Sequence, residues 1–192
     1  LGRARYSGPN IAPPRATGWL TLSALGSAVL ALLPVAAALS AALVGLWSLT
    51  WWPDWRPGGA GTAPETLVGS GWRLLAVSPL LALTWFGLTM AFTVLTVRLL
   101  STGVSEGYHA VRSRIGWQLW ATERVLDQAR DLLFPLYASR FTPVWLRWLG
   151  AEVGTNVEAS TAILQPALSH IGDGAFLADD TMIGSYELQR GW

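Results

Sequence analysis

The residues best suited to chemistry fall in one short stretch, SHIGDGAFLADDTMIGS, residues 169–185. It holds His170, Asp173, Asp179 and Asp180. An imidazole titrates near neutral pH and can take the proton from an attacking amine, while carboxylates can orient that imidazole or hold a cationic substrate. On this basis His170 is assigned the role of general base with Asp180 beside it as a catalytic group, and Asp173 and Asp179 are assigned to substrate binding. The competing explanation is an exposed corner histidine with turn aspartates bonded to backbone amides. Glu158 and Ser160, in VEAST, are weaker candidates, because Ser160 has no activating partner visible in the sequence. His109, in EGYHAVRSR, stands near Arg112 and Arg114 and reads as structural or interfacial. With no cysteine in the chain, a thiol nucleophile, a thiolate metal site and a disulfide are all excluded, and no metal is expected.

A six-residue beat positions these side chains. From Val153 the chain reads VGTNVE, ASTAIL, QPALSH, IGDGAF, LADDTM, IGSYEL. The leading position is aliphatic except at Gln165, and the next is small except at Pro166. Hexads of this kind predict a left-handed parallel β-helix, in which leading residues stack into a narrow core, small residues take the corners and three hexads make one coil. QPALSH fails at both positions, and its proline predicts a turn or bulge there. Two coils are fewer than such folds need to stand alone, so the chain is expected to be a fragment of something longer.

Upstream of the hexads the composition points to a membrane. Only 13% of the residues are charged and 52% are hydrophobic, against about 25% charged in an average soluble domain. A net charge of +1 gives no basic face for nucleic acid. Residues 1–18 read as a basic flexible linker and 19–50 as a first transmembrane helix with Pro34 as a tolerated kink. Residues 51–71 read as an extracytoplasmic loop and 72–100 as a second transmembrane helix. Trp19, Trp47, Trp51, Trp52, Trp55 and Trp72 cluster at the span ends, as an aromatic belt does. Arginine counting, with Arg3, Arg5 and Arg15 before the first span and Arg98, Arg112 and Arg114 after the second, places both ends in the cytoplasm. Ala37, Ala41 and Gly45 form a small-xxx-small ridge suited to helix packing.

Residues 101–150 read as amphipathic and interfacial helices. Leu119, Leu126 and Leu133 recur every seven residues with Val125, Ala129, Leu132 and Leu136, opposite Glu123, Arg124, Asp127, Arg130 and Asp131. Thr142 and Pro143 predict a helix start and Gly150 a stop. The segment between, VWLRWLG, suits either a helix lying in the membrane interface or one covering the base of residues 151–192, the truncated β-helix.

The order of these parts, with FPLYASRFTPVWLRWLGAEVGTNVEAST, IGDGAFLADD and YELQRGW, resembles the C-terminal region of membrane-bound nonribosomal peptide synthetases of the ε-poly-lysine synthetase type. That family carries adenylation and carrier domains upstream, and its C-terminal part holds several spans and tandem domains like hexapeptide-repeat acyltransferases. The resemblance implies transfer of an aminoacyl group from a phosphopantetheine-loaded carrier domain, located elsewhere, to an acceptor amine. It implies membrane lipid, upstream adenylation and carrier domains, and neighbouring acyltransferase-like domains, in the same chain or a homo-oligomer, as partners. Two other readings stay open: a freestanding membrane-anchored O- or N-acetyltransferase using acetyl-CoA, and a non-catalytic β-helix scaffold.

Overall fold

A computed structural model describes residues 8–9, 11–13, 17–51, 63–137 and 139–192, with backbone alone for 63–70. The linker arginines Arg3, Arg5 and Arg15, Trp52, Trp55 and the loop arginine Arg56 lie outside the described residues. The described chain is mostly helical and divides into two compact units, Ala31–Phe92 and Leu1–Leu30 with Thr93–Trp192.

Helix α1 (Gly18–Ala31) and helix α2 (Leu33–Leu49) follow one another with a turn at Leu32. Pro34 stands in the first turn of α2, where its missing N–H removes no helical bond, so the expected kink is a break between two helices. Helix α3 runs from Ala63 to Leu100, beginning inside the segment read as loop. The loop reading weighed proline and glycine as breakers, but a proline at the second position of a helix is compatible with starting one. Farther along, Pro79 lies in the α3 interior and frees the Leu75 carbonyl; the Ser78 hydroxyl donates to that carbonyl at 2.8 Å. Such local repair is what lets proline persist in an apolar helix.

The stretches Gly18–Leu49 and Gly71–Leu100 are both long and apolar enough to cross a membrane. Only 22% and 17% of their most apolar windows are buried, unlike the core helices of a soluble protein. Within the first unit, the small-residue ridge is an inward row: Ala37, Ala41, Gly45 and Leu49 are the buried residues of α2. A side chain at Gly45 would run into Leu81 of α3.

In the second unit, helix α4 (Arg114–Leu132) begins at Ser113, whose hydroxyl accepts from the Gly116 amide. Its buried face is Gln118, Ala121, Thr122, Val125, Leu126 and Ala129. The seven-residue leucine count placed Leu119 at the centre of that face, whereas the observed face is rotated toward Gln118 and Leu119 is only half-buried. The short α5 (Phe134–Tyr137) leads to α6 (Thr142–Leu149), which packs on the strands that follow. Phe141, not Thr142, occupies the cap position of α6. Thr142 is fully buried in the first turn, with its hydroxyl 2.7 Å from the Tyr137 carbonyl and 2.9 Å from that of Ser139. Gly150 ends the helix at a φ of 113°, a conformation a side chain would strain. Trp145, Leu146 and Leu149 are buried, and Trp145 meets the ring of Tyr137 edge-on at 6.1 Å.

Four two-residue strands complete this unit: β1 (Glu152–Val153), β2 (Glu158–Ala159), β3 (His170–Ile171) and β4 (Phe176–Leu177). They pair in parallel, β1 with β3 and β2 with β4. Val153 faces Ile171 and Ala159 faces Leu177, so two of the leading residues pair with the one eighteen positions later. A third bridge joins Ile163 to Met182, one residue out of that step. The irregular hexad forms a 3-10 turn, Pro166–Leu168. Its leading Gln165 is buried, and its amide donates to the Leu119 carbonyl of α4 at 3.2 Å.

Candidate functional site

The parallel pairing of β1 with β3 brings Glu152 opposite His170 on the outer face, with Val153 and Ile171 turned inward. The His170 Nδ1 lies 2.7 Å from the Glu152 Oε2. A carboxylate only accepts, so Nδ1 is the donating nitrogen and Nε2 is the one left to accept a proton. Both side chains are more than three-quarters exposed. With Asp173 they line a shallow cleft of about 350 Å³ floored by Gly154 and Gly172.

Asp173 uses its carboxylate one step along. Its Oδ1 accepts from the Thr155 amide at 2.6 Å and the Thr155 hydroxyl at 3.0 Å. The backbone bond first, and the hydroxyl bond second, hold its carboxyl below the ordinary range. Gly154 is small because the neighbouring chain passes close by: a Cβ there would lie 2.7 Å from the Asp173 nitrogen.

Asp179 lies elsewhere. It accepts from the Ser160 hydroxyl at 3.1 Å and borders a larger groove, about 840 Å³, between Arg140 and Pro143 on one side and residues 156–160 on the other. Glu158 lines the same groove. Asp180 lines neither cleft. Asp179 and Asp180 sit in a turn after β4 and both are exposed, so strand alternation, which would have sent them to opposite sides, does not apply. Asp180 has a φ of 56°. Asn156 at 54° and Gly174 at 67° adopt the same left-handed conformation at the same, fourth, place in their hexads. The left-handed turn therefore falls at position four of the six-residue beat, not at position two, and asparagine, aspartate and glycine are the residues that tolerate it.

The structure thus joins His170 to Asp173 in one cleft and separates both from Asp179 and Asp180. Sequence reasoning missed Glu152, although its distance from His170 is eighteen residues, three times the six-residue beat. It also missed a cleft of about 670 Å³ lined by Glu106, Tyr108, His109, Trp120, Glu123 and Tyr186, among others. There His109 Nε2 lies 2.9 Å from the Ser105 carbonyl, and the Tyr186 hydroxyl donates to Glu123 at 2.6 Å. Among the described residues no cluster of three metal-ligating side chains exists.

Over 87 residues the chain is 36% identical to the delta-poly-L-ornithine synthetase of Acinetobacter baumannii (strain AB307-0294). The match takes in 45% of this chain and 6% of that protein, so the chain spans a small part of its relative's length. No protein-family model matches the chain. No solved structure matches it significantly.

Proposed function

We propose that this chain is a membrane-anchored part of a peptide synthetase, held by two spans with both ends in the cytoplasm. In this reading residues 151–192 are the first coils of a left-handed β-helix that joins a carrier-bound aminoacyl group to an amine. The observation that carries the proposal is the 36% identity to a poly-ornithine synthetase. The eighteen-residue parallel step supports the β-helix, because three hexads per coil produce that spacing.

The chemistry assigned is acyl transfer. The acceptor nitrogen bonds to the thioester carbonyl carbon, the carbon–sulfur bond breaks, and the surplus proton leaves the nitrogen for His170 Nε2 before passing to the departing thiolate. A phosphopantetheine-loaded carrier domain would supply the thioester, and no residue here is assigned to hold it. Glu152 takes the orienting role: by accepting from Nδ1 it fixes the tautomer and stabilises the imidazolium as it forms. Asp173, in the same cleft, is the group placed to attract a cationic acceptor. Neighbouring acyltransferase-like domains, in the same chain or a second copy, would close the open side of the cleft.

A scaffold role is the second reading, and a specific observation favours it. His170, Asp173 and Asp179 each bond to a residue one coil earlier, namely Glu152, Thr155 and Ser160, which is what side chains that merely fasten coils together do. The discriminating experiment is His170→Ala in the full-length protein, with polymer formation as the readout. A general base contributes about 10²- to 10⁴-fold, so a loss of that order is expected. An unchanged rate would remove His170 from the mechanism and leave the scaffold.

A further inference from the structure

Helix α6 carries a second apolar stripe beside the one it buries. Its inner stripe, Thr142, Trp145, Leu146 and Leu149, is buried against the rest of its unit. Its outer stripe is Phe141, Val144 and Trp148, spaced three and four residues apart and exposed to 65%, 37% and 51%. Nothing among the described residues covers the outer stripe, which leaves it open to an apolar partner.

The last turn of α3 says what. Arg98 donates from Nε to the Trp148 carbonyl at 2.8 Å and from Nη2 to the Arg147 carbonyl at 2.9 Å. This guanidinium ties the C-terminal end of α6 to the end of a helix able to cross a membrane, since Arg98 lies two residues before the close of Gly71–Leu100. Trp148 is therefore held at the level where such a span leaves the hydrocarbon, which is where tryptophan is favoured. The charge agrees. From Leu132 to Ala151 there is no acidic residue, while Arg140 and Arg147 flank the stripe, a balance suited to anionic headgroups.

We propose that the Phe141–Val144–Trp148 face of α6 is a lipid-docking surface, seated at the boundary between headgroups and acyl chains of an anionic membrane. It rests on the two stretches being spans, and the test separates the two ideas.

The 192 residues contain no cysteine, which makes single-cysteine reporters simple to place. In the full-length form the cell makes, with any other cysteines replaced, an environment-sensitive dye is attached at F141C, V144C or W148C. L83C reports on the span, and G172C on the coils, where the added side chain enters open space. The protein is reconstituted in vesicles of phosphatidylcholine with phosphatidylglycerol carrying nitroxide lipids at defined depths, with iodide as aqueous quencher. Expected is quenching at 141, 144 and 148 by shallow nitroxides, several-fold above that at 172, and quenching at 83 by deep ones. A stripe open to iodide and untouched by lipid nitroxides, with 83 still quenched, overturns the docking surface and leaves the spans. A stripe shielded from both quenchers overturns it in favour of a protein partner. If 83 meets no lipid, the spans and the surface fall together.

Discussion

Glu152 and His170 are cross-strand partners eighteen residues apart, and their 2.7 Å hydrogen bond leaves the far nitrogen of the imidazole facing solvent. An ion pair this exposed adds at most about 1 kcal/mol to stability. Glu152→Gln should leave the melting temperature nearly unchanged. If Glu152 positions the base, the same variant lowers the maximal rate of polymer formation with little change in the acceptor KM, and adding it to His170→Ala costs nothing more. Fully additive losses in the double variant would show that the two residues act independently.

Gly154 tests how tightly its segment passes the backbone at Gly172 and Asp173. A methyl group there meets the Asp173 backbone nitrogen at 2.7 Å, and backbone has no rotamer to give. Gly154→Ala should destabilise the folded protein by about 1–3 kcal/mol, the usual range for overpacking. Gly172→Ala, which meets nothing within 4 Å, serves as the control and should be close to neutral. Equal denaturant midpoints for the two variants would contradict the close approach.

Thr142 carries a buried hydroxyl shared among the carbonyls of Leu136, Tyr137 and Ser139 at the start of α6. Thr142→Val keeps the shape and removes the donor. The expected loss is about 1–3 kcal/mol, because the Tyr137 carbonyl loses its donor, whereas those of Leu136 and Ser139 keep the Ser139 hydroxyl and the Thr142 amide. Thr142→Ser should recover most of it. A valine variant as stable as the parent would mean that the hydroxyl contributes nothing net.

At alkaline pH the informative group is Tyr186. Burial first, then its bond to Glu123, pushes its hydroxyl up to about 12. Folding thus favours the protonated form: the contribution is intact below the unfolded value, about 10, and is lost as pH rises toward the folded one. Melting curves of the solubilised protein between those limits should fall more steeply for the parent than for Tyr186→Phe. Parallel curves would argue against the bond. Asp173 has the opposite sign, its lowered carboxyl value giving stability that is present above its unfolded value, about 3.9, and lost as pH falls through the folded one.

Local features of the fold were legible where a single element fixes them. Val153 and Ile171 pair because the aliphatic beat and the strand alternation agree, and Gly150 stops α6 because few other residues take its backbone angles. What was hidden depends on relations across elements. Thr142 has the composition of a cap, but its hydroxyl is drawn instead to carbonyls of the preceding turn. The buried face of α4 follows Gln118 rather than Leu119 because the buried Gln118 side chain reaches the Thr102 carbonyl at 3.0 Å. His170 and Asp180 are ten residues apart in one stretch, yet the partner of His170 lies eighteen residues away on a paired strand. Reading along the chain finds the six-residue beat, and only the parallel pairing of β1 with β3 finds Glu152.

Arg98 has a consequence for the order in which the molecule is made. Its two acceptors lie 49 and 50 residues later in the chain. During synthesis the guanidinium therefore emerges well before the carbonyls of Arg147 and Trp148 exist, and in the interval water and lipid phosphate are its available partners. Closing that long loop is entropically costly for a free chain. A helix already lodged in a bilayer holds one end of the loop still and lessens the search. On the membrane-anchored reading proposed above, insertion precedes docking, and the bilayer is the template on which α6 and the strands behind it are assembled.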